Sequence, residues 1–155
     1  LAVHIMFTYN LIVAPAATGD NSSLAYKTSD SGDTNPNSQN QVYGKLASDQ
    51  FNDALHPAFQ WARGLTIAGY SDWYVPALNE LALLMYNLGP NWTTASAFQF
   101  GTGAEALATG TPYWSASENP SNLNAAYNQQ ATNALVQSQL KSFTVRVRAV
   151  RRQLA

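Results

Sequence analysis

The sequence predicts an α+β fold in which strands from the two ends of the chain flank a helical middle, and three observations carry that expectation. Residues 4–13, HIMFTYNLIV, are β-branched, aromatic or aliphatic with partial alternation, and Pro15 stops them, which reads as a long strand. After Pro76 the residues Leu78, Leu81, Leu84, Met85 and Leu88 recur at helical spacing until Gly89-Pro90 ends the run. Four short β runs, 112–117, 124–130, 134–140 and 143–151, then succeed one another across ENPSN, ATN and KS, the pattern of an antiparallel meander. The 155 residues fit one domain, 1–155, because domains cluster near about 100–150 residues. Leu at position 1 fits a processed product or the C-terminal module of a longer chain.

Between these anchors the elements are less regular. Residues 18–44 are rich in Gly, Asn, Asp and Ser and read as a long loop; loops beyond about 12–15 residues are uncommon in compact domains unless they bind something or move. Residues 48–64 show helical spacing through Phe51, Leu55, Phe59 and Ala62, with Ser48 or Asp49 as cap and Gly64 as stop. Pro57 sits inside that helix and is expected to split or kink it. Residues 91–111 are low in charge and read as loop with at most a helical turn.

Composition narrows the function. Charged residues are 11% of the chain and hydrophobic residues 46%, so solubility falls to neutral polar groups. Asn, Gln, Ser and Thr crowd 28–42, 91–102 and 115–142, which suits an extracellular or virion surface. A net charge of −1 argues against nucleic acid as partner. The absence of cysteine excludes disulfides, thiolate metal sites and cysteine nucleophiles. No apolar run reaches the roughly 18 residues of a membrane span, and the N-terminal stretch lacks the basic start of a signal peptide.

The stretch GYSDWYVP (69–76) stiffens the entrance to the second helix. Gly69 supplies a left-handed position, Ser71 and Asp72 offer acceptors for turn amides, and Trp73 and Tyr74 bring apolar faces that anchor the helix after Pro76. Asp72 and Glu80 are also two carboxylates, but no His or Lys sits beside them to split their pKa values, so the entrance reads as scaffold and no catalytic residue is assigned.

Four motifs in order, GYSDWYVPALNELALL, YWSASE, KSFTVRVRAVRR and the opening LIVAP, resemble the Lcl-type C-terminal domain, a C-type-lectin-like module of bacterial surface adhesins and phage tail fibres. The resemblance rests on Gly69, Tyr70, Asp72, Trp73 and Pro76, on Glu80 and Leu81, on Tyr113 to Ser117, and on Val147, Arg148, Val150 and Arg151, and it spans nearly the whole chain. It implies a C-type-lectin-like fold: two helices packed on an antiparallel sheet, terminal strands adjacent, long surface loops. It also implies structural roles for Gly69, Asp72, Trp73, Pro76, Glu80, Trp114, Arg148 and Arg151. The chain departs from the family pattern at Ala77, where a Ser or Thr would form a capping box with Glu80. The cysteine-dependent sulfatase-modifying enzymes of the same broad fold are no guide to a chain without cysteine.

In such folds the long loops and last strands form the ligand face. The residues expected there are Ser117, Glu118, Asn119, Asn122, Asn124, Tyr127, Asn128 and Gln129, with Trp92 as a further flat surface; residues 28–40 form a second candidate loop. Amides offer paired donors and acceptors, and aromatic rings offer faces on which a sugar can lie. Calcium is the usual partner of sugar-binding lectins; Glu118, Asn119 and Asn122, or Asp30 and Asp33, could supply oxygens, but neither group follows the order of calcium-lectin motifs, so no metal or cofactor is assigned. His4 and His56 are read as structural. Along 144–152 a period of two places Val145, Val147 and Ala149 on one face and Arg146, Arg148, Val150 and Arg152 on the other. That Arg row either pairs with Asp72, Glu80 and loop carbonyls or grips an anionic glycan. The expected function is non-enzymatic recognition of a host-surface glycan or protein by a homo-oligomeric virion or cell-surface assembly. The alternative is a structural subunit of a capsid, tail or filament, in which strand 4–13 augments a neighbour.

Overall fold

A computed structural model describes residues 8–155, so positions 4–7 of the first expected strand, His4 included, lie outside the described residues. Strand β1 (Tyr9–Val13) pairs antiparallel with β7 (Val150–Leu154), Tyr9 opposite Leu154 and Val13 opposite Val150. A five-stranded sheet holds β2 (Asp20–Ala25), β6 (Thr144–Arg148), β3 (Pro112–Glu118), β4 (Ala125–Gln130) and β5 (Val136–Leu140), in that spatial order.

Three expectations need correction. The tail is no simple meander, because β6 enters between β2 and β3 and runs parallel to β3, with Tyr113 opposite Arg146. The single run 143–151 is two strands in two sheets. They divide at Ala149, whose N–H and C=O bond to Gly19 and Ala14 in the turn around helix α1 (Ala16–Gly19). The expected loop 18–44 contains the end of α1, all of β2 and a 3₁₀ turn, Pro36–Gln39. Edge strand β2 pairs with β6 through Asp20 and Asn21 opposite Arg148 and Val147 and, after an irregularity, through Leu24 and Ala25 opposite Val145 and Thr144, and its polar DNSSLA conceals it.

The helix expected over 48–64 is split, as Pro57 suggested, into α2 (Gly44–Gln50) and α3 (Pro57–Arg63). Pro57 opens α3, where its missing N–H removes no helical bond. Ser48 lies inside α2 rather than capping it, and its hydroxyl accepts from Val75 N–H at 3.1 Å. Helix α4 (Leu78–Leu88) stands where its apolar stripe placed it. The helices cover both faces of the sheet. Trp114 and Ala116 pack with Ala47, Phe51, Phe59 and Ala62 of the α2–α3 region, whereas Tyr113 on the opposite side meets Leu81 and Met85 of α4. Alternation therefore buries β3 on both sides.

The 69–76 stretch is a strut between the two sheets. Ala68 (φ 52°) and Gly69 (φ 82°) form a tight turn closed by mutual Ile67 and Tyr70 backbone bonds. Tyr74 then exchanges backbone bonds with Val150 of β7, and Pro76 C=O accepts from Ala116 N–H of β3 at 2.7 Å. Trp73 is buried and its indole N–H donates to Tyr70 C=O.

The start of α4 is capped from outside. Ala77 has no side-chain acceptor, so only the Glu80 half of a capping box forms: Glu80 Oε2 accepts from Ala77 N–H at 2.9 Å and from Gly44 N–H at 3.0 Å. A Cβ at Gly44 would lie 2.1 Å from Val75 C=O, so this approach requires glycine. Gln41 C=O accepts from Asn79 N–H, and Ser117 Oγ accepts from Leu78 N–H at 3.0 Å while donating to Asn40 C=O at 2.8 Å. Ser117 thus takes the role expected of residue 77. Replacing Ser117 by Ala leaves Leu78 N–H and Asn40 C=O without this partner and is expected to cost about 1–3 kcal/mol in urea denaturation. The exposed control Ser121→Ala should stay within about 0.5 kcal/mol.

Candidate functional site

The charges that sequence scattered along the chain converge in the interior. Lys141, fully buried just after β5, donates through Nζ to Glu118 Oε2, to Asp33 Oδ2 at 2.7 Å and to Ser31 C=O at 3.0 Å, and lies 5.2 Å from the Tyr26 ring centroid. The other Asp33 oxygen receives Lys27 Nζ at 2.6 Å and faces His56 Nε2 at 3.2 Å, while His56 Nδ1 lies 2.8 Å from Asp53. Glu118 also accepts from Asp33 N–H and from Ser38 Oγ. These bonds pin residues 27–38 to the ends of β3 and β5, which answers why so long a loop is tolerated. Burial works to raise the Asp33 carboxyl, yet hydrogen bonds from His56, Lys141 and Lys27 hold it well below the usual carboxylate range. Burial pushes the Tyr26 hydroxyl well up, and the negative charges of Asp33 and Glu118 add to the effect.

The arginines are likewise turned inward. Arg148 is fully buried and donates to Ala14 C=O, Asp20 and Glu105. Arg151 grips Asp72 with two bonds, 2.7 and 3.1 Å, and lies 3.9 Å from the Tyr70 ring centroid. The Asp72 carboxyl is held below its ordinary range by that hydrogen bonding. Arg152 reaches Glu80 at 2.8 Å and Arg146 reaches Asp20 at 2.9 Å. All eight Lys and Arg side chains are ion-paired to carboxylates of their own chain. The Arg row therefore presents no open cation stripe to an anionic ligand.

The expected ligand face divides. Ser117, Glu118, Asn128 and Gln129 are buried strand residues, not loop residues. Ser117 caps α4, Glu118 neutralises Lys141, and the Asn128 and Gln129 amides donate to Gln139 and to Ala134 C=O. Trp92 closes the far end of α4, its indole N–H reaching Met85 and Tyr86 carbonyls, and is not brought to the others. Asn119, Asn122, Asn124 and Tyr127 do come together. Asn119 Oδ1 accepts from Tyr127 Oη at 3.3 Å and from Ser121 N–H, its Nδ2 donates to Ser138 Oγ at 2.9 Å, and Asn122 Oδ1 accepts from Asn124 N–H. Asn122 and Asn124 are exposed, and Asn119 and Tyr127 are half-buried.

The oxygens considered for calcium are engaged elsewhere: Glu118 and Asp33 by Lys141, and Asp30 by Ser142 N–H at 2.8 Å. Among the described residues no group of three His, Asp or Glu is arranged to hold a metal ion. Surface clefts lined by Tyr9, Glu80 and Arg152, and by Ile67, Tyr70 and Arg151, contain ionisable groups already in ion pairs. Sequence reasoning missed Lys141 and Lys27, although the chain has only one further lysine and Lys141 ends an otherwise uncharged stretch, 119–140.

The family model of the Lcl C-terminal domain matches residues 21–151. The chain belongs to that family. A fimbrial protein from Bacteroides ovatus ATCC 8483 shares the fold of this Lcl C-terminal domain, with a TM-score of 0.54 at 16% identity over 90% of this chain and 35% of that protein. The domain thus spans about a third of the fimbrial chain. No curated protein matches it. No helix among the described residues is long and apolar enough to cross a membrane.

Replacing Lys141 by Met strands Glu118 in the interior and is expected to cost about 3–5 kcal/mol, whereas Lys141→Met with Glu118→Leu should recover most of the loss, both read from denaturant midpoints. A carboxyl depressed on folding stabilises above its unfolded pKa of about 3.9 and loses that contribution as pH falls further. Stability should therefore decline as pH drops below about 4, and the decline should be shallower in Asp33→Asn, which is already weakened at neutral pH.

Proposed function

We propose that this Lcl C-terminal domain is a non-enzymatic recognition module, built on a C-type-lectin-like frame and displayed on a bacterial or phage surface assembly. It binds a neutral host-surface glycan. The observation that carries this reading is the pairing of every Lys and Arg with a carboxylate of its own chain, which leaves no unpaired cation for an anionic ligand beside the amides and hydroxyls of Asn119, Asn122, Asn124 and Tyr127. Family membership and the fold shared with a fimbrial protein support surface display. A fixed amide row supplies the paired donors and acceptors that sugar hydroxyls need, and the Tyr127 ring supplies a flat neighbour.

A structural role in a filament or tail is the second reading. The observation favouring it is the apolar surface formed by Tyr9, Leu83 and Tyr86, all exposed, beside the two-stranded ribbon β1–β7.

A glycan array with the 155-residue chain separates the two. Saturable binding to uncharged glycans, changed less than about twofold between 50 and 500 mM salt because no counterions are released, and weakened at least about tenfold by Asn119→Ala with Asn122→Ala, is the expected result. Binding confined to sulfated glycans and lost with salt would overturn the assignment, and no binding together with failed assembly of Leu83→Asp and Tyr86→Asp variants would favour the structural role.

A further inference from the structure

Strand β5 is an outer strand of the five-stranded sheet, hydrogen-bonded to β4 on one side only. Edge strands are ordinarily blunted by charge, proline or a bulge, because their unpaired N–H and C=O groups template further strands. This one carries none of those devices. Its sequence is VQSQL, its register with β4 runs unbroken from Ala125 opposite Leu140 to Gln129 opposite Val136, and no Asp, Glu, Lys, Arg or His occurs from Asn119 to Leu140.

The direction of its free groups follows from the pairing. Gln130 N–H bonds to Leu135 C=O, and Lys141 N–H bonds to Asn124 C=O, so the odd-numbered residues 135, 137, 139 and 141 face β4. Val136 and Ser138 therefore turn their N–H and C=O outward, and so does Leu140, whose C=O also accepts from Phe143 N–H at 3.2 Å in the turn that follows. Their side chains are exposed too, Val136 by 42% and Leu140 by 39%.

We propose that β5 is a homodimerisation edge, at which two copies of this chain pair antiparallel about a two-fold axis at Ser138. The strand is self-complementary in that register. Ser138 meets Ser138 of the second copy, Val136 meets Leu140 in apolar contact, and Gln137 meets Gln139 amide to amide; the Ser138 N–H and C=O groups exchange across the axis, Leu140 N–H finds Val136 C=O, and Val136 N–H takes the second lone pair of a Leu140 C=O already bonded to Phe143. Two identical surfaces repel when they carry net charge; this hairpin carries none, and that argues for a second copy over a charged partner. The pairing makes one continuous sheet and sets both Asn119–Tyr127 patches on the same side of it. The dimer does not depend on what those patches bind.

Sedimentation velocity of the 155-residue chain from micromolar to about 1 mM is expected to show a reversible dimer. Ser138→Lys places two ammonium groups across the axis and should weaken association at least about tenfold, as should Ser138→Glu, and mixing the two variants should restore a heterodimer. Opposed residues in a hydrogen-bonded pair have Cα atoms about 5.5 Å apart, within disulfide reach. In a chain without cysteine, Ser138→Cys should therefore cross-link to itself under mild oxidation, and Tyr86→Cys on α4 should not. A wild-type chain that stays monomeric throughout, a dimer indifferent to Ser138→Lys, or equal cross-linking of the two cysteine variants would overturn the proposal.

Discussion

The ion pair between Lys141 and Glu118 is the constraint on which the rest of the domain hangs. Both groups are withdrawn from water, and removing ions from water costs several kcal/mol each unless every remaining valence is met by a fixed partner. Here those partners come from distant segments: Asp33 and Ser31 from the long loop, Ser38 from the 3₁₀ turn Pro36–Gln39, and Lys27 and His56 around Asp33. A cluster of this kind tolerates one arrangement. That makes it a poor source of net stability and a strong selector of geometry, and what it selects is the position of a loop that has little apolar surface of its own.

A second set of charges does the same for the junction of the two sheets. Asp72 on the strut is held by Arg151 of β7, Glu80 of α4 by Arg152, and Asp20 of β2 by Arg146 and Arg148 of β6. Glu80 also accepts from the hydroxyl of buried Tyr74 and from the first amide of α2. One carboxylate thereby ties two helices and a strand together. With only 11% of residues charged and every Lys and Arg paired to a carboxylate, the exterior owes much of its polarity to amides and hydroxyls.

Sequence resolved what is local and obscured what is not. Helix α4 was legible because five apolar residues at a period near 3.6 have one arrangement that buries them together, and the strut was legible because Gly69 admits the left-handed turn and Pro76 fixes its own φ. The division at Ala149 was hidden: the apolar alternation runs on through it, and only the distant carbonyl and amide of Gly19 and Ala14 stop the strand. Strand β2 was hidden by its polarity. Of the residues expected on one face, Asn119, Asn122, Asn124 and Tyr127 converge, whereas the alternation of β3 and β4 said nothing of the helices that cover both sides and bury Ser117, Glu118, Asn128 and Gln129. The central ion cluster bonds residues as much as 110 positions apart, a separation at which no spacing rule operates.

The first and last strands lie side by side, with Ala155 N–H reaching Thr8 C=O at 2.9 Å. Tension applied through both termini would load the β1–β7 bonds one after another, as in unzipping, while the five-stranded sheet stayed out of the line of force. The same geometry lets a chain enter and leave at nearly one point, so the unit can be spliced into a loop of a larger protein without prying that loop apart.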